Sequence, residues 1–488
     1  MNKELLKGSW KYLLILLLIF IPIFQHLGFY TIRIWDESRL AINAYEMLYY
    51  PENYLVPTYR GNPDMWNTKP PVMIWAQALS MKLFGANEVS VRLPSALAAL
   101  FTCLLLLLIA VRYVKNFWLG FICILVLITT SGYLGGHAAR TGDYDALFTF
   151  FLTLGCYTFF FFMENSKKKY LYFFFISLAL AVLTKGVATL MILPGIFIYV
   201  LIKRKLLFLL KSKDFYIGFL IFLALVGGYY GLREIYNPGY LMAVWENELG
   251  GRFLEAAEGH KDSFWFYFDN LITHRFKEWA LLVPCGIFLG ILSKNARIKN
   301  LTLFSTVIAI TFLLLISSAQ TKLNWYALPA YPFLSILVGI FIYLIFLFLK
   351  EEKRFSHYLK HNIVPYVFLF LVFITPYAEV LKRTHNISEP NTEVYRIAYY
   401  LRDMIKEKKQ GDNFFITYDG YGAHIRFYIN ILNDKGKNID FKEKEDLEAG
   451  DITLCSQGGA KKYIKEVYEY KILEEYHNVT IYEILGKK

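Results

Sequence analysis

The stretch that decides the fold runs "VRLPSALAALFTCLLLLLIAVRYVKNFWLGFICILVLITT" from Val91 to Thr130. Two apolar runs, near 91–111 and 117–134, flank a break that carries Arg112 and Lys115. Each run is close to the roughly 20 residues with which an α-helix crosses the hydrocarbon of a bilayer. Comparable runs recur near 11–30, 145–163, 170–184, 187–202, 214–232, 276–293, 300–317, 325–349 and 362–379. The chain therefore reads as a polytopic α-helical membrane protein with about eleven spans, about eleven to thirteen if the short runs near 170–202 are counted differently.

Composition agrees. Of 488 residues, 56% are hydrophobic and only 19% charged, whereas soluble domains carry about a quarter charged residues. The formal charge of +12 does not indicate nucleic acid. The basic residues sit in short loops, no basic patch is interleaved with aromatics, and no zinc or helix-turn-helix signature is present. Cys103, Cys123, Cys156 and Cys285 lie in apolar runs and only Cys455 lies outside them, which argues against a disulfide framework or a thiolate metal site. The first run follows a basic start but no small-residue cleavage site, so it reads as an uncleaved span.

The charges test the span count. Lys3 and Lys7, Arg112 and Lys115, Lys167 to Lys169, Lys203 to Lys213, Lys294 to Lys299 and Lys350 to Lys360 fall in alternate loops. With eleven spans they share one side, which the positive-inside rule makes the cytoplasm. The other, outer side then receives residues 31–90, 135–144, 233–275 and 318–324 and the C-terminal tail. Residues 1–384 form the expected transmembrane domain and 385–488 a small soluble α/β domain. In that tail "TEVYRIAYYLRDMIKEKK" reads as an amphipathic helix, and "NFFITY", "DITLCS" and "NVTIYEIL" as strands.

The chemically suggestive residues all fall on the outer side. "RIWDESRLAINAYEMLYY", from Arg33, opens with Asp36, Glu37 and Arg39. Leu40, Ala44, Met47 and Leu48 share one helical face, the pattern of a helix in the interfacial plane. Asp36 then caps that helix, or serves as a carboxylate at a cavity mouth. Lys69, before Pro70 and Pro71, is an interfacial anchor or a phosphate ligand. "VMIWAQALSMKLFG" makes a short helix ending at Gly85. "GGHAARTGDYDALFTFF" contributes His137, Arg140, Asp143 and Asp145, groups that need pairing or a wet cavity at a membrane edge. Lys185 lies between two short runs and needs a partner there. "WENELGGRF" through "GH" offers Glu246, Glu248, Arg252 and His260, and "SSAQTKLNWYALPAYP" offers Lys322 and Tyr326. Ionisable groups at one interface suit an enzyme at a membrane surface better than a transporter, which gathers them at midplane.

Taken in order, "WDE" with Arg39, "KPP", the Arg140 to Asp145 segment, "LTKG", the Arg252 to His260 segment and "LPAYP" resemble the GT-C fold glycosyltransferases that use polyprenyl-phosphate sugars, family 39 in the broad sense. That group includes protein O-mannosyltransferases and lipid A aminoarabinose transferases. The resemblance implies transfer of a sugar from undecaprenyl or dolichyl phosphate to an acceptor hydroxyl or phosphate on lipid, glycan or protein, by one inverting displacement. It implies that Asp36 and Asp145, with Asp143 competing for the second place, are the catalytic acids. It likewise implies that Arg39, Lys69, Arg140, Lys185, Arg252, His260, Lys322 and Tyr326 line the donor site. Aminoarabinose transferases carry a glutamate before the "KPP" lysine, which pairs with the large-loop histidine to hold a metal. Thr68 stands there in this chain, which argues against a metal on His260. The alternatives are a flippase of lipid-linked sugars, or a ligase or polymerase using a diphosphate-linked donor.

Overall fold

The computed structural model describes residues 3–50, 54–248, 261–351, 362–385, 393–409 and 411–488. The chain divides into two compact units. One comprises Met1–His26, Asp64–Met73 and Pro94–Asn386, the other Leu27–Pro63, Ile74–Leu93 and Ile387–Lys488. The sequence division at 384/385 placed the whole first outer loop with the spans. Contacts group most of that loop with the tail instead.

The first unit is helical. Among the described residues, seven elements are long and apolar enough to cross a membrane: Glu88–Val114, Asp145–Asn165, Lys168–Ile202, Lys213–Tyr236, Ala296–Ser318, Asn324–Glu351 and Val364–His385. Trp10–Phe24, Phe117–Ile128 and Leu282–Leu292 are shorter apolar helices. The expected runs near 170–184 and 187–202 form one element of 35 residues. A 3-10 segment, Gly186–Ile192, interrupts it between the helices Lys168–Lys185 and Leu193–Ile202. Lys213–Tyr236 exposes large apolar side chains such as Leu220, Leu223 and Leu225, as a lipid solvent favours.

Backbones approach closely where glycine permits. A Cβ on Gly286 would lie 2.0 Å from the Leu337 carbonyl oxygen, and one on Gly290 would lie 2.2 Å from Thr302 Oγ1. These two glycines press Leu282–Leu292 against its neighbours, in the small-residue packing used where lipid gives helices no hydrophobic push together. At one end of the bundle a polar cluster ties four elements. Tyr113 Oη donates to Glu164, Asn300 Nδ2 donates to Glu164 Oε2 at 2.9 Å, and Lys203 Nζ donates to Asn300 Oδ1 at 3.0 Å. Residues from four of the alternate basic segments or their flanks thus meet at one end, as the alternation of spans requires.

The second unit is an α/β domain. Its five-stranded sheet has the order β4-β3-β5-β7-β6, with a separate two-stranded ribbon, β1 (Thr58–Tyr59) and β2 (Asn62–Pro63). Strands β3 (Asn413–Thr417), β4 (Asn438–Phe441) and β5 (Ile452–Cys455) run parallel, and β6 (Tyr468–Tyr476) and β7 (Val479–Lys487) add an antiparallel hairpin. The helix Ala423–Asp434 links β3 to β4, the crossover that parallel pairing demands.

The helix Asp36–Tyr49 departs from the interfacial reading. Residues Glu37, Ser38 and Leu40 to Met47 are buried, so both faces are covered and the helix packs on Ala423–Asp434. Tyr45 and Tyr50 both donate their phenols to Asp434, and the Phe427 ring lies edge-on to Tyr45 at 6.1 Å. Asn43 and Glu46 satisfy backbone groups: Asn43 Nδ2 donates to Thr58 O at 2.7 Å, and Glu46 accepts from the Arg60 amide at 2.8 Å. Glu37 and Arg92 form a buried bidentate pair at 2.7 and 3.0 Å. The remaining Arg92 donors go to the carbonyls of Leu27, Tyr30 and Thr31. One guanidinium therefore fixes the chain entering Asp36–Tyr49.

Two outcomes are expected. Glu37→Gln and Arg92→Met each leave a buried charge or carbonyl set without its partner, a loss of about 3–5 kcal/mol, checked by melting of the detergent-purified chain. The combined Glu37→Leu, Arg92→Met chain recovers part of that loss. In the same unit, His424 donates Nε2–H to Val394 O at 2.7 Å, and burial holds its pKa down at about 4. The unfolded chain, near 6.5, then binds the proton first as pH falls. Stability is complete above about pH 6.5 and declines toward pH 4, by up to about 3 kcal/mol. Hydrogen exchange in residues 413–434, corrected for intrinsic rate, should show this loss of protection, and His424→Gln should flatten it.

Candidate active site

Helix hairpin geometry builds the site. The helices Asp145–Asn165 and Lys168–Lys185 run antiparallel around a two-residue turn, so the first residue of one and the last of the other meet at the same end. Asp145 sits at a helix N-terminus and Lys185 at a C-terminus, where the backbone dipoles favour an anion and a cation respectively. They form a salt bridge in which both side chains are about nine-tenths buried or more. The partner that the sequence reading requires for Lys185 is thus Asp145. Gly186 follows with φ +64, a left-handed turn that ends the helix directly after Lys185.

Lys69 arrives from a loop that Pro70 and Pro71 keep extended. Its Nζ lies 3.5 Å from Glu248 Oε1 and 5.5 Å from the Tyr144 ring centre. The Thr68 hydroxyl also donates to Glu248, at 3.3 Å, while its carbonyl accepts from Tyr240 Oη at 2.7 Å. Tyr326 lies in the 3-10 segment Asn324–Ala330, and its ring centre is 4.9 Å from Lys185 Nζ.

Lys69, Asp145, Lys185, Glu248, Thr321 and Tyr326 form the polar end of a cavity of about 370 Å³. Its walls are apolar: Val187, Leu190 and Met191 from the 3-10 segment, and Phe312, Leu315 and Ile316 from Ala296–Ser318. An oily slot ending in paired charges fits an amphiphile with a long chain and an anionic head.

The other expected residues are not among the described lining of this cavity. Asp143 Oδ1 is 3.4 Å from His137 Nδ1, and the His137 ring stacks on Trp325 at 3.7 Å. Arg140 gives its guanidinium to the carbonyls of Pro22, at 2.6 Å, and Gln25, at 2.7 Å, finishing the first helix. Lys322 donates to the carbonyls of Ser317 and Ala319, and burial lowers its pKa below the usual lysine range. In the second unit, Asp36 opens its helix without a side-chain cap, and Trp35, at φ 73, stacks on Tyr421 at 4.9 Å. The Arg39 guanidinium lies 3.5 Å from the Tyr59 ring centre. Arg252 and His260 lie outside the described residues. Thr68 donates its hydroxyl to Glu248 and accepts from Tyr240 Oη at its carbonyl. Glu248, only one of several loop acids by sequence, is the addition the structure makes to the site.

The fold and cavity define a polytopic membrane protein with an apolar chamber whose lining carries two acid–base pairs. Comparison with known proteins places the chain more closely. Residues 68–229 match the family model described as dolichyl-phosphate-mannose-protein mannosyltransferase. The chain is 29% identical over 332 residues to a protein of Aquifex aeolicus (strain VF5), covering 68% of this chain and 64% of that one. It is 27% identical over 318 residues to the undecaprenyl phosphate-alpha-4-amino-4-deoxy-L-arabinose arabinosyl transferase of Pseudomonas savastanoi pv. phaseolicola, covering 64% and 57%. The chain thus spans less than two thirds of the length of these two relatives. The crystal structure of ArnT from Cupriavidus metallidurans bound to undecaprenyl phosphate superposes with a TM-score of 0.74 at 14% identity, covering 97% of this chain and 98% of that one. The chain has this GT-C fold and resembles the aminoarabinose transferases.

Asp145→Asn removes the counter-charge of buried Lys185 and should destabilise the bundle by about 3–5 kcal/mol. Asp145→Asn with Lys185→Met should regain the melting temperature of the parent in detergent while leaving the cavity without that cation.

Proposed function

We propose that this protein is a membrane glycosyltransferase that moves a sugar from a polyprenyl-phosphate donor to an acceptor hydroxyl or phosphate. The observation that carries the reading is the cavity of about 370 Å³, with Lys69 and Lys185 at the polar end of an apolar slot. The carrier chain lies along the apolar walls and its phosphate meets the two ammonium groups. In the reaction the bond between the anomeric carbon and the phosphate oxygen breaks, and its electron pair stays on the phosphate. The acceptor oxygen bonds to the same carbon from the opposite face, and its proton passes to a carboxylate. Because the leaving group is an anion, preorganised cations do more for it than a general acid would, each worth roughly 3–4 kcal/mol in a dry site.

Asp36 takes the acceptor's proton in this proposal, a role that rests on the family resemblance at "WDE". Asp145 holds Lys185 charged and in place. Donor and acceptor enter from the periplasmic side of the inner membrane. The alternate basic loops support that orientation, as does the polar cluster of Glu164, Lys203 and Asn300 at the basic-loop end of helices whose other ends carry the cavity residues. Ionisable groups gathered at one end, rather than at midplane, favour transfer over translocation. The acceptor hydroxyl or phosphate belongs to a lipid such as lipid A, a glycan, a teichoic-type polymer or a protein.

The test uses purified protein with radiolabelled polyprenyl-phosphate sugar. Lys69→Ala should raise the donor KM about a hundredfold, the scale of one lost charge-assisted phosphate contact, and Asp36→Asn should abolish turnover with donor binding intact. Mass analysis of the spent carrier should find the monophosphate. A diphosphate product, or full turnover by Asp36→Asn, would overturn the mechanism.

A further inference from the structure

Among the described residues lining the cavity, Lys69 and Lys185 are the cations and Asp145 and Glu248 the carboxylates, and each lysine already sits beside one acid. An anionic head-group therefore meets, among these residues, two cations that are already matched, inside walls of low dielectric. One carboxylate has to give way.

The two are not equivalent. Asp145 is bound to Lys185 at the start of a long helix and is the more deeply buried. Glu248 holds Lys69 across 3.5 Å, beyond hydrogen-bond length, and is the more exposed of the two acids. Its second contact, the Thr68 hydroxyl at 3.3 Å, anchors it beside Lys69 even when Lys69 turns away. Gly186 keeps room there: a Cβ at that position would stand 3.6 Å from Tyr230 Oη and 4.0 Å from Glu248 Oε2.

We infer that Glu248 is a charge discriminator: it tolerates a singly charged phosphodiester at Lys69 and repels the doubly charged phosphomonoester. The inference rests on the donor reading above and deepens it. The sugar donor is a phosphodiester with one negative charge. Transfer of the sugar leaves a phosphomonoester, whose second proton dissociates near pH 6. The atoms and charges balance: the acceptor loses one proton and the carrier phosphate gains one negative charge. Lys69 exchanges Glu248 for the donor phosphate on binding. After transfer the added charge faces an anchored carboxylate at close range, and Glu248 reclaims Lys69 as the spent carrier leaves. The residue thus acts on release and on the choice between substrate and product, through Lys69. The charged and titratable groups that face this end among the described residues are Lys69, Lys185, Asp145, Tyr144, Tyr230 and Tyr326.

The experiment measures binding of undecaprenyl phosphate, with undecaprenol as the uncharged reference, to the detergent-purified full chain from pH 5.5 to 8. In the parent chain, affinity for the phosphate relative to the alcohol should fall as pH rises and the second charge appears. A relative affinity that is flat or rises overturns the inference without any variant. In Glu248→Gln the fall should vanish, so that the phosphate binds about tenfold tighter than to the parent at pH 8 and much less so at pH 5.5, while undecaprenol binding is unchanged. Glu248→Ala should behave alike and serves if the amide variant does not fold. An equal gain at both pH values, or none, overturns the role of Glu248 and leaves the donor reading standing. A parent chain with no preference for the phosphate over the alcohol at any pH removes the donor reading and this inference together.

Discussion

A lysine ammonium in an oily chamber cannot exist without a counter-charge, and that constraint organises this protein. Lys185 is buried beside Asp145, and Lys69 is held beside Glu248. The first pair joins the two ends of a helix hairpin. The second joins an extended proline-bounded loop to a turn some 180 residues further along the chain. Two electrostatic obligations therefore draw four separate segments to one end of the bundle. The apolar walls that make the charges expensive also strengthen each pair, because little solvent screens them.

The same logic governs the second unit. Arg92 spends all its donors on Glu37 and three carbonyls, and Asp434 takes both tyrosine phenols of the neighbouring helix. These bonds set the direction in which the chain leaves Thr31 and enters Asp36. Glu88 extends the network by accepting from Tyr428 Oη at 2.8 Å, while the Ile32 amide donates to the same phenol at 3.0 Å. Polar side chains, rather than a greasy stripe, position the Asp36–Tyr49 helix.

Much of the bundle was legible because hydrocarbon thickness imposes a length that composition reveals directly. Runs such as 91–111 and 300–317 needed no further signal. The pair near 170–202 was harder, since a 3-10 segment leaves no mark in hydropathy. In the tail, β3, β5 and β7 carried β-branched or aromatic runs. β4 is four residues long, and β6 reads "YEYKILEEY", whose charges hide an edge strand. Glu37 and Arg92 were missed because an acid in a first helical turn and an arginine flanking a span each have an ordinary local explanation, and 55 positions separate them. The four acids and bases near the cavity were visible as residue types. Which acid meets which base was not: Asp143 faces His137 and Asp145 faces Lys185, a choice made by helix phase and not by spacing.

The glycine-packed helix Leu282–Leu292 has only 11 residues, which rise about 16 Å, roughly half the thickness of a bilayer's hydrocarbon. It connects through a brief turn to Ala296–Ser318 at the basic-loop end, so the shortfall lies toward the end where the chamber opens. Lipid beside it has to dip to cover the apolar surface, and water and head-groups sink with it. Thinning of that kind brings the aqueous phase down toward the depth of the charged pairs.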